Sequence, residues 1–490
     1  MARKRSNYVA TFAVLATAAL AFSLLQSLIV PAIPQFESTL HTSESSASWL
    51  LTAYLLSAAI ATPILGRVGD MVGKERVIVA VLVALSVGSL IAGLATTLPV
   101  MLVGRVIQGT GGAVFPLSFG IIRDEFPAER VAGAIGVMSA ILGAGAGAGI
   151  VLAGPILEHL DYHWLFWIPL MMSVAATIAT FLFVPESPVR APGRINWLGA
   201  GLMSGWLITG LLAITYAPTW GWGNLSVLAL FSATVILLVI WVIAENRSKS
   251  PLVDMKMMRI PAVWSTNLAA LLFGFGMFAM FIVLPQFTQT PTRVGYGFGA
   301  SVTASGFYLA PFAAAMVIVA PMTGRLSALV GSKMVLVVGS LFAASSYFVL
   351  VFVHNVESIV YVATGLLGVG IALGFASMSN LIIEAVPAEQ TGVATGMNTN
   401  IRNIGAALGS GIATSLIISS LLPDGYPNEE GYVLAFIVSG AGLVVAALVA
   451  LLIPGRTDPA AARLHAPHPA LTAEAEAIVG AIAVGPEDLA

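Results

Sequence analysis

Two arginines stand inside long apolar runs. Arg105 is followed by Gln108, Gly109 and Gly112, while Arg402 lies between Asn398 and Gly405, with Gly409 beyond. On a helix each set falls on one face. An arginine stays charged, and its planar fork suits a carboxylate or a phosphate. Placing one inside a membrane is costly unless a partner or a function offsets the cost. A third set, Gly66-Arg67-Val68-Gly69-Asp70-Met71-Val72-Gly73-Lys74-Glu75-Arg76, puts an acid among basic residues. That pattern offers a charge network, and a helix N-terminus beside Asp70 would stabilise its carboxylate. It does not offer an ATP site: Gly69 to Gly73 is one residue short of a P-loop, and Glu75 stands where Ser or Thr is needed. No cysteine is present, and the six histidines all lie outside the apolar runs. No thiolate metal site or intramembrane nucleophile–base set can be assembled, so an embedded enzyme has no chemistry to work with.

The elements that must position these residues follow from composition. Of 490 residues, 58% are hydrophobic and only 9% charged, and mean hydropathy is +0.95. A soluble protein of this size cannot cover its surface with so little charge, and the chain is too apolar for disorder. The 23 acids and 21 basic residues nearly balance, which gives no basis for nucleic-acid binding. An all-α integral membrane protein remains.

Apolar runs of roughly 20 residues, the length that crosses a bilayer, number fourteen. They lie near 9–33, 47–66, 77–96, 99–121, 131–155, 164–184, 196–215, 225–245, 263–285, 302–323, 334–353, 357–381, 392–421 and 431–454. With the N-terminus taken as cytoplasmic, 18 of the 21 Lys and Arg fall on the inside. Only Arg293 falls outside, and Arg105 and Arg402 fall within spans. This asymmetry is the positive-inside rule, so both termini are expected in the cytoplasm and the first run is expected to stay as an uncleaved span.

The chain repeats itself. Gly66-Arg67 through Gly73-Lys74 returns as Gly324-Arg325 through Gly331-Ser332-Lys333 at an offset of 258. Pro127-Ala128-Glu129 returns as Pro387-Ala388-Glu389 at 260, and Gly136, Gly145 and Gly149 return as Gly396, Gly405 and Gly409. Spans 1–6 are therefore repeated as spans 9–14, with spans 7 and 8 inserted. The expected division is a cytoplasmic N-terminus over 1–8 and a six-helix bundle over 9–194. Two inserted helices with a linker follow over 195–260, then a second six-helix bundle over 261–455 and a cytoplasmic tail over 456–490.

These motifs together resemble the major facilitator superfamily, in particular its fourteen-helix drug:proton antiporter family, across roughly residues 9–455. The resemblance makes Gly66, Arg67, Asp70, Gly73, Lys74 and Arg76 a latch loop at the cytoplasmic face, with Met71 replacing the usual basic residue. The alternative is a plain topogenic turn. It makes Arg105, Gln108 and Gly109 an Arg-x-x-Gln-Gly motif associated with proton transfer, against the alternative of an arginine capped by carbonyls. Gly136, Gly145, Gly149 and Gly154 are similar to the exporters' span 5 motif, although Ile150 and Ala153 replace its Pro and one Gly. Small residues at those intervals also permit close helix packing. Pro251-Leu252-Val253-Asp254 resembles a family stretch read as an interfacial helix. The first-span Asp of the family is absent, Leu25 standing in its place.

The resemblance implies a secondary active exporter of lipophilic small molecules in the plasma membrane. It would work by alternating access, driven by protons, as a monomer without cofactor, ATP or nucleic acid. An importer or uncoupled uniporter is the alternative, favoured by Leu25. A channel would need a ring of like residues. Arg105, Gln108 and Arg402 are the expected proton or substrate pathway. Gln26, Tyr54, Asn267, Tyr308 and Asn398 are the polar candidates for the cavity. Two intramembrane arginines without an intramembrane acid favour neutral or anionic ligands over cations.

Overall fold

A computed structural model describes residues 8–47, 49–186 and 194–454. Fourteen helices are long and apolar enough to cross a membrane, and no extended strand occurs among the described residues. Lipid supplies no hydrogen bonds, so each span must satisfy its own backbone, which a helix does. The first six are α1 (Tyr8–Ser27), α2 (Trp49–Val72), α3 (Lys74–Leu94), α4 (Leu98–Glu125), α5 (Ala128–His159) and α6 (Trp164–Phe183). The inserted pair is α7 (Trp197–Trp220) and α8 (Leu225–Arg247). The last six are α9 (Pro261–Gln289), α10 (Val302–Val330), α11 (Ser332–Val353), α12 (Glu357–Ala385), α13 (Thr391–Ile418) and α14 (Glu429–Leu451). A short 3-10 turn, Thr110–Ala113, interrupts α4.

The sequence repeat is also a packing repeat. Helix α1 packs on α5 and α6, and its counterpart α9 packs on α13 and α14. Between the halves, α2 lies along α13, and α5 lies along α10 and α12. These two contacts are called the seams below. Helix α7 rests on both α2 and α13, while α8 packs mainly on α7 and only 11% of its span is buried, so α8 borders the lipid.

Three sequence expectations change. The first span ends at Ser27, not near residue 33. The chain then turns through Val30–Ala32 into a short helix, Ile33–Thr39, and Pro31 has no N–H with which to extend the ladder. The stretch Gly66–Val72 is not a turn but the last two turns of α2. The break falls at Gly73, whose φ of +125° is open to glycine, and the repeat copies it at Gly331, with φ +84°. Hydropathy marks membrane thickness, whereas these helices project beyond it. Finally, Pro251–Asp254 is not helical, and the helix is the single turn that follows, Met255–Met258, capped by Asp254. Leu252 and Val253 are buried, and the buried Glu245 accepts from the Val253 N–H at 3.4 Å and from Asn196 Nδ2 at 3.3 Å. The tail expected over 456–490 lies outside the described residues.

Candidate functional site

Between the halves lies a cavity of about 110 Å³. Gln26 and Ser27 of α1, Leu51 and Leu55 of α2, and Ile150 of α5 form one wall. Phe278 and Phe281 of α9 and Asn403, Ala406 and Ser410 of α13 face them. None of the lining residues is charged. Drug-sized sites run to roughly 300–1,000 Å³, so the cavity is contracted in this conformation.

The two arginines differ sharply in how they are held. Arg105 is fully buried. Its Nε donates to the Leu50 carbonyl at 2.8 Å, and its Nη1 donates to Gln108 Oε1 at 2.9 Å and to the Leu25 carbonyl at 3.4 Å. Its guanidinium lies 4.2 Å from the centre of the Tyr54 ring, and Gln108 Nε2 continues the chain to Ser89 at 3.1 Å. Arg105 thus ties α4 to α1 and α2, and Gln108 ties it to α3, leaving only Arg105 Nη2 without a partner. The carbonyls it holds directly precede Gln26 and Leu51, so Arg105 sits one residue behind the cavity wall.

Arg402 is 6% exposed and far less engaged. Among the described residues its one hydrogen bond runs from Nη2 to Thr399 Oγ1, at 3.5 Å. Its guanidinium lies 4.6 Å from the centre of the Phe375 ring, and no described carboxylate pairs with it. It immediately precedes Asn403 and is one turn from Ala406, both in the cavity wall.

The third cluster closes the α2–α13 seam at the end of the bundle that carries most of the basic residues, here the basic face. Asp70 is buried, and its carboxylate accepts from the Val393 N–H, in the first turn of α13, at 3.3 Å. First-turn N–H groups lack intrahelical partners and carry the positive end of the helix dipole. Lys74, also buried, stands 3.8 Å from Asp70 and 2.6 Å from Asp124. The basic partner missing at Met71 is therefore supplied by Lys74. Arg123 reaches across the same seam to Thr391 Oγ1 (2.5 Å) and the carbonyls of Val386 (2.9 Å) and Pro387 (3.3 Å). Gly66 and Gly392 meet backbone to backbone: a β-carbon on either would stand 2.8 Å from the other's carbonyl oxygen. Of the flanking residues, Arg76 pairs with Glu186 at 3.0 Å, and Arg67 Nε is buried without a partner.

The polar cavity candidates scatter. Gln26 lines the cavity. Tyr54 instead stacks on Phe22 beneath Arg105, inside the first half. Asn398 Nδ2 donates to Asn267 Oδ1 at 2.9 Å, so the two satisfy each other between α13 and α9. Tyr308 donates to Glu357 and stacks on Tyr361, away from the centre. Of the span 5 glycines, Gly145 and Gly149 pack directly on Ser23 and Ser27 of α1, while Gly154 meets Thr303 of α10 across the second seam and Gly136 makes ordinary contacts there with Ala320. Gly405 and Gly409 pack equally closely on the α9 backbone at Leu271 and Phe275.

Four residues were not singled out by the sequence: Arg123, Asp124 and Asn400 at the seam, and Asn403 in the cavity wall. Asn400 Nδ2 donates across the seam to the Ala59 carbonyl at 2.6 Å. Its place one turn from Gly396, on the α2-facing side of α13, is the signal that could have found it.

The profile described as Major Facilitator Superfamily matches residues 15–197 and 290–482. The tetracenomycin C resistance and export protein of Streptomyces glaucescens is 26% identical over 426 residues, covering 86% of this chain and 77% of that protein. The multidrug transporter protein MdtP of Bacillus subtilis is 28% identical, covering 80% of this chain and 72% of its own. The uridine/deoxyuridine transporter of Lactococcus lactis is 26% identical, covering 92% and 96%. Among solved structures, the human organic anion transporter MFSD10 superposes with a TM-score of 0.62 at 14% identity, covering 90% of this chain and 98% of that one. That likeness is one of fold.

Proposed function

The chain belongs to the major facilitator superfamily, a multi-pass membrane transporter and not an enzyme, and from that premise we propose that it exports lipophilic small molecules by alternating access. The observation that carries this reading is the charged seam. Asp70 and Arg123 of the first half grip the start of α13 in the second, a contact that must break before the cavity can open to the basic face. A relative named for resistance and export supports the outward direction.

In this reading Gly66, Arg67, Asp70, Gly73, Lys74 and Arg76 form the latch region. The stripe of Gly136, Gly145, Gly149 and Gly154 keeps α5 close to its neighbours. Arg105 and Gln108, with Tyr54 beneath them, brace the wall behind Gln26. The basic face is cytoplasmic, the protein sits in the cell membrane as a monomer, and protons drive the cycle. Inverted membrane vesicles with an imposed pH gradient test the coupling: uptake that follows the gradient and collapses with a protonophore is the expected result.

A second reading, import or uncoupled passage of a small polar solute, draws on the uridine/deoxyuridine transporter, which matches across nearly its whole length, and on Leu25, buried where the family's first-span acid would stand. Uptake of labelled uridine into energised whole cells, with no gradient-driven uptake in inverted vesicles, would select it.

A further inference from the structure

The field around the cavity is one-sided. Gln26, Ser27, Asn403 and Ser410 give it neutral polar groups, and its remaining lining residues are apolar. Arg105 lies behind one wall and Arg402 directly precedes Asn403 of the other, and no described carboxylate pairs with either. A buried cation without a counter-charge attracts an anion and repels a second cation.

The two are not equivalent. Arg105 spends its fork on the Leu50 and Leu25 carbonyls and on Gln108, an arrangement that locks helices together. Arg402 has five N–H donors and one long hydrogen bond. Helical side chains lean toward the N-terminal end, so its guanidinium lies toward the start of α13 from Asn403 and Ala406, over Phe375 and next to the residues that line the cavity. Phe375 covers one face of the fork, and Phe278 and Phe281 stand above in the cavity wall.

We propose that Arg402 is the counter-charge for an organic anion, an aromatic body bearing one carboxylate, sulfonate or phenolate, held in the central cavity. The anion pairs with the free N–H groups of Arg402, its rings lie among Phe278, Phe281 and Phe375, and Gln26 and Asn403 orient the polar rim. This rests on the transport reading and narrows its substrate class.

The test uses dyes of different charge in a pump-deficient bacterial host expressing the full chain: fluorescein (anionic), rhodamine 6G (cationic, on the same xanthene core) and Nile red (neutral). Fluorescein should leave expressing cells faster than vector controls, and rhodamine 6G should not. Arg402→Gln should lower fluorescein export at least about tenfold, the size expected when a charge-assisted hydrogen bond is lost. Arg402→Lys, which keeps the charge, should retain much of it at equal membrane abundance, an outcome that separates charge from mere folding. Export of rhodamine 6G or Nile red but not of fluorescein overturns the proposal and leaves the transport reading standing. So does fluorescein export indifferent to Arg402→Gln. Export of none of the three dyes removes the transport reading, and the proposal with it.

Discussion

The two seams between the halves share a shape and differ in chemistry. At the basic face Gly66 of α2 lies against Gly392 of α13, and Gly324 of α10 lies against Gly133 of α5. The repeat has copied one close backbone contact. The charges were not copied. Asp70 corresponds to Ala328, Lys74 to Ser332 and Arg123 to Ile383; Asp70 is buried whereas Ala328 is exposed. The second seam carries the neutral bonds Ser139 to Ser379 at 2.9 Å and Asn380 Nδ2 to the Ala132 carbonyl at 3.4 Å, and only at its far end does a charge take part, Thr303 of α10 donating to the Glu158 carboxylate of α5 at 2.5 Å. At the basic face, backbone fit serves both seams, while the electrostatic preference for the closed state is loaded onto one. The α2–α13 seam is therefore the one whose opening costs most.

The hardest way to break the comparison is to remove the shared shape. Gly66→Leu and Gly324→Leu should each lower transport about tenfold or more, since overpacking costs about 1–3 kcal/mol; a reconstituted transport assay with a thermal melt of each variant checks this. Inside the halves, Gly145→Leu, Gly149→Leu and Gly405→Leu should do the same, and full activity in all three would end the packing argument for both repeats. Asp70→Asn comes next. It removes charge but little volume, and a carboxylate at a partly buried helix N-terminus is worth up to about 2 kcal/mol, so transport should fall severalfold while insertion is unaffected. Full transport by the folded mutant would reduce the latch to a topogenic element. Asn400→Ala should cost less, about two- to fivefold, the scale of one net hydrogen bond. Smallest is Ser379→Ala on the neutral seam, with transport kept within about twofold, as for a weak hydroxyl pair. A larger loss there than at Asn400 would reverse the assignment of which seam resists opening.

Much of this was legible in the chain itself. Fourteen apolar runs and the one-sided basic residues gave the number of spans, and the offsets of 258 and 260 gave the pairing of repeats. The glycine spacings marked where helices touch, because contact without side chains needs glycine wherever it occurs. Partnerships across distant spans were not legible. Lys74 meets Asp124, fifty residues away, and Asp70 meets the backbone of Val393, a partner with no side-chain signature. Arg105 and Arg402 looked alike, two charges on two small-residue stripes. Only the fold shows that the first is enclosed by carbonyls and the second left nearly bare. Tyr54 and Tyr308 were candidates by polarity alone, which says nothing of which way a helix turns them.

The bare guanidinium of Arg402 has a further consequence, in terms of voltage. If its cargo is a monoanion, filling the cavity cancels the charge of Arg402 and leaves only that of Arg105 behind the wall. A membrane potential then does more work on the empty carrier than on the loaded one. With an interior-negative potential the unloaded site is drawn back toward the inside, where it would collect its next anion. A full crossing of one charge is worth about 2.3 kcal/mol per 100 mV, and a site that merely changes the side it faces would feel part of that. In a core where Leu25 stands in for the acid, the electrical field can reset the cycle.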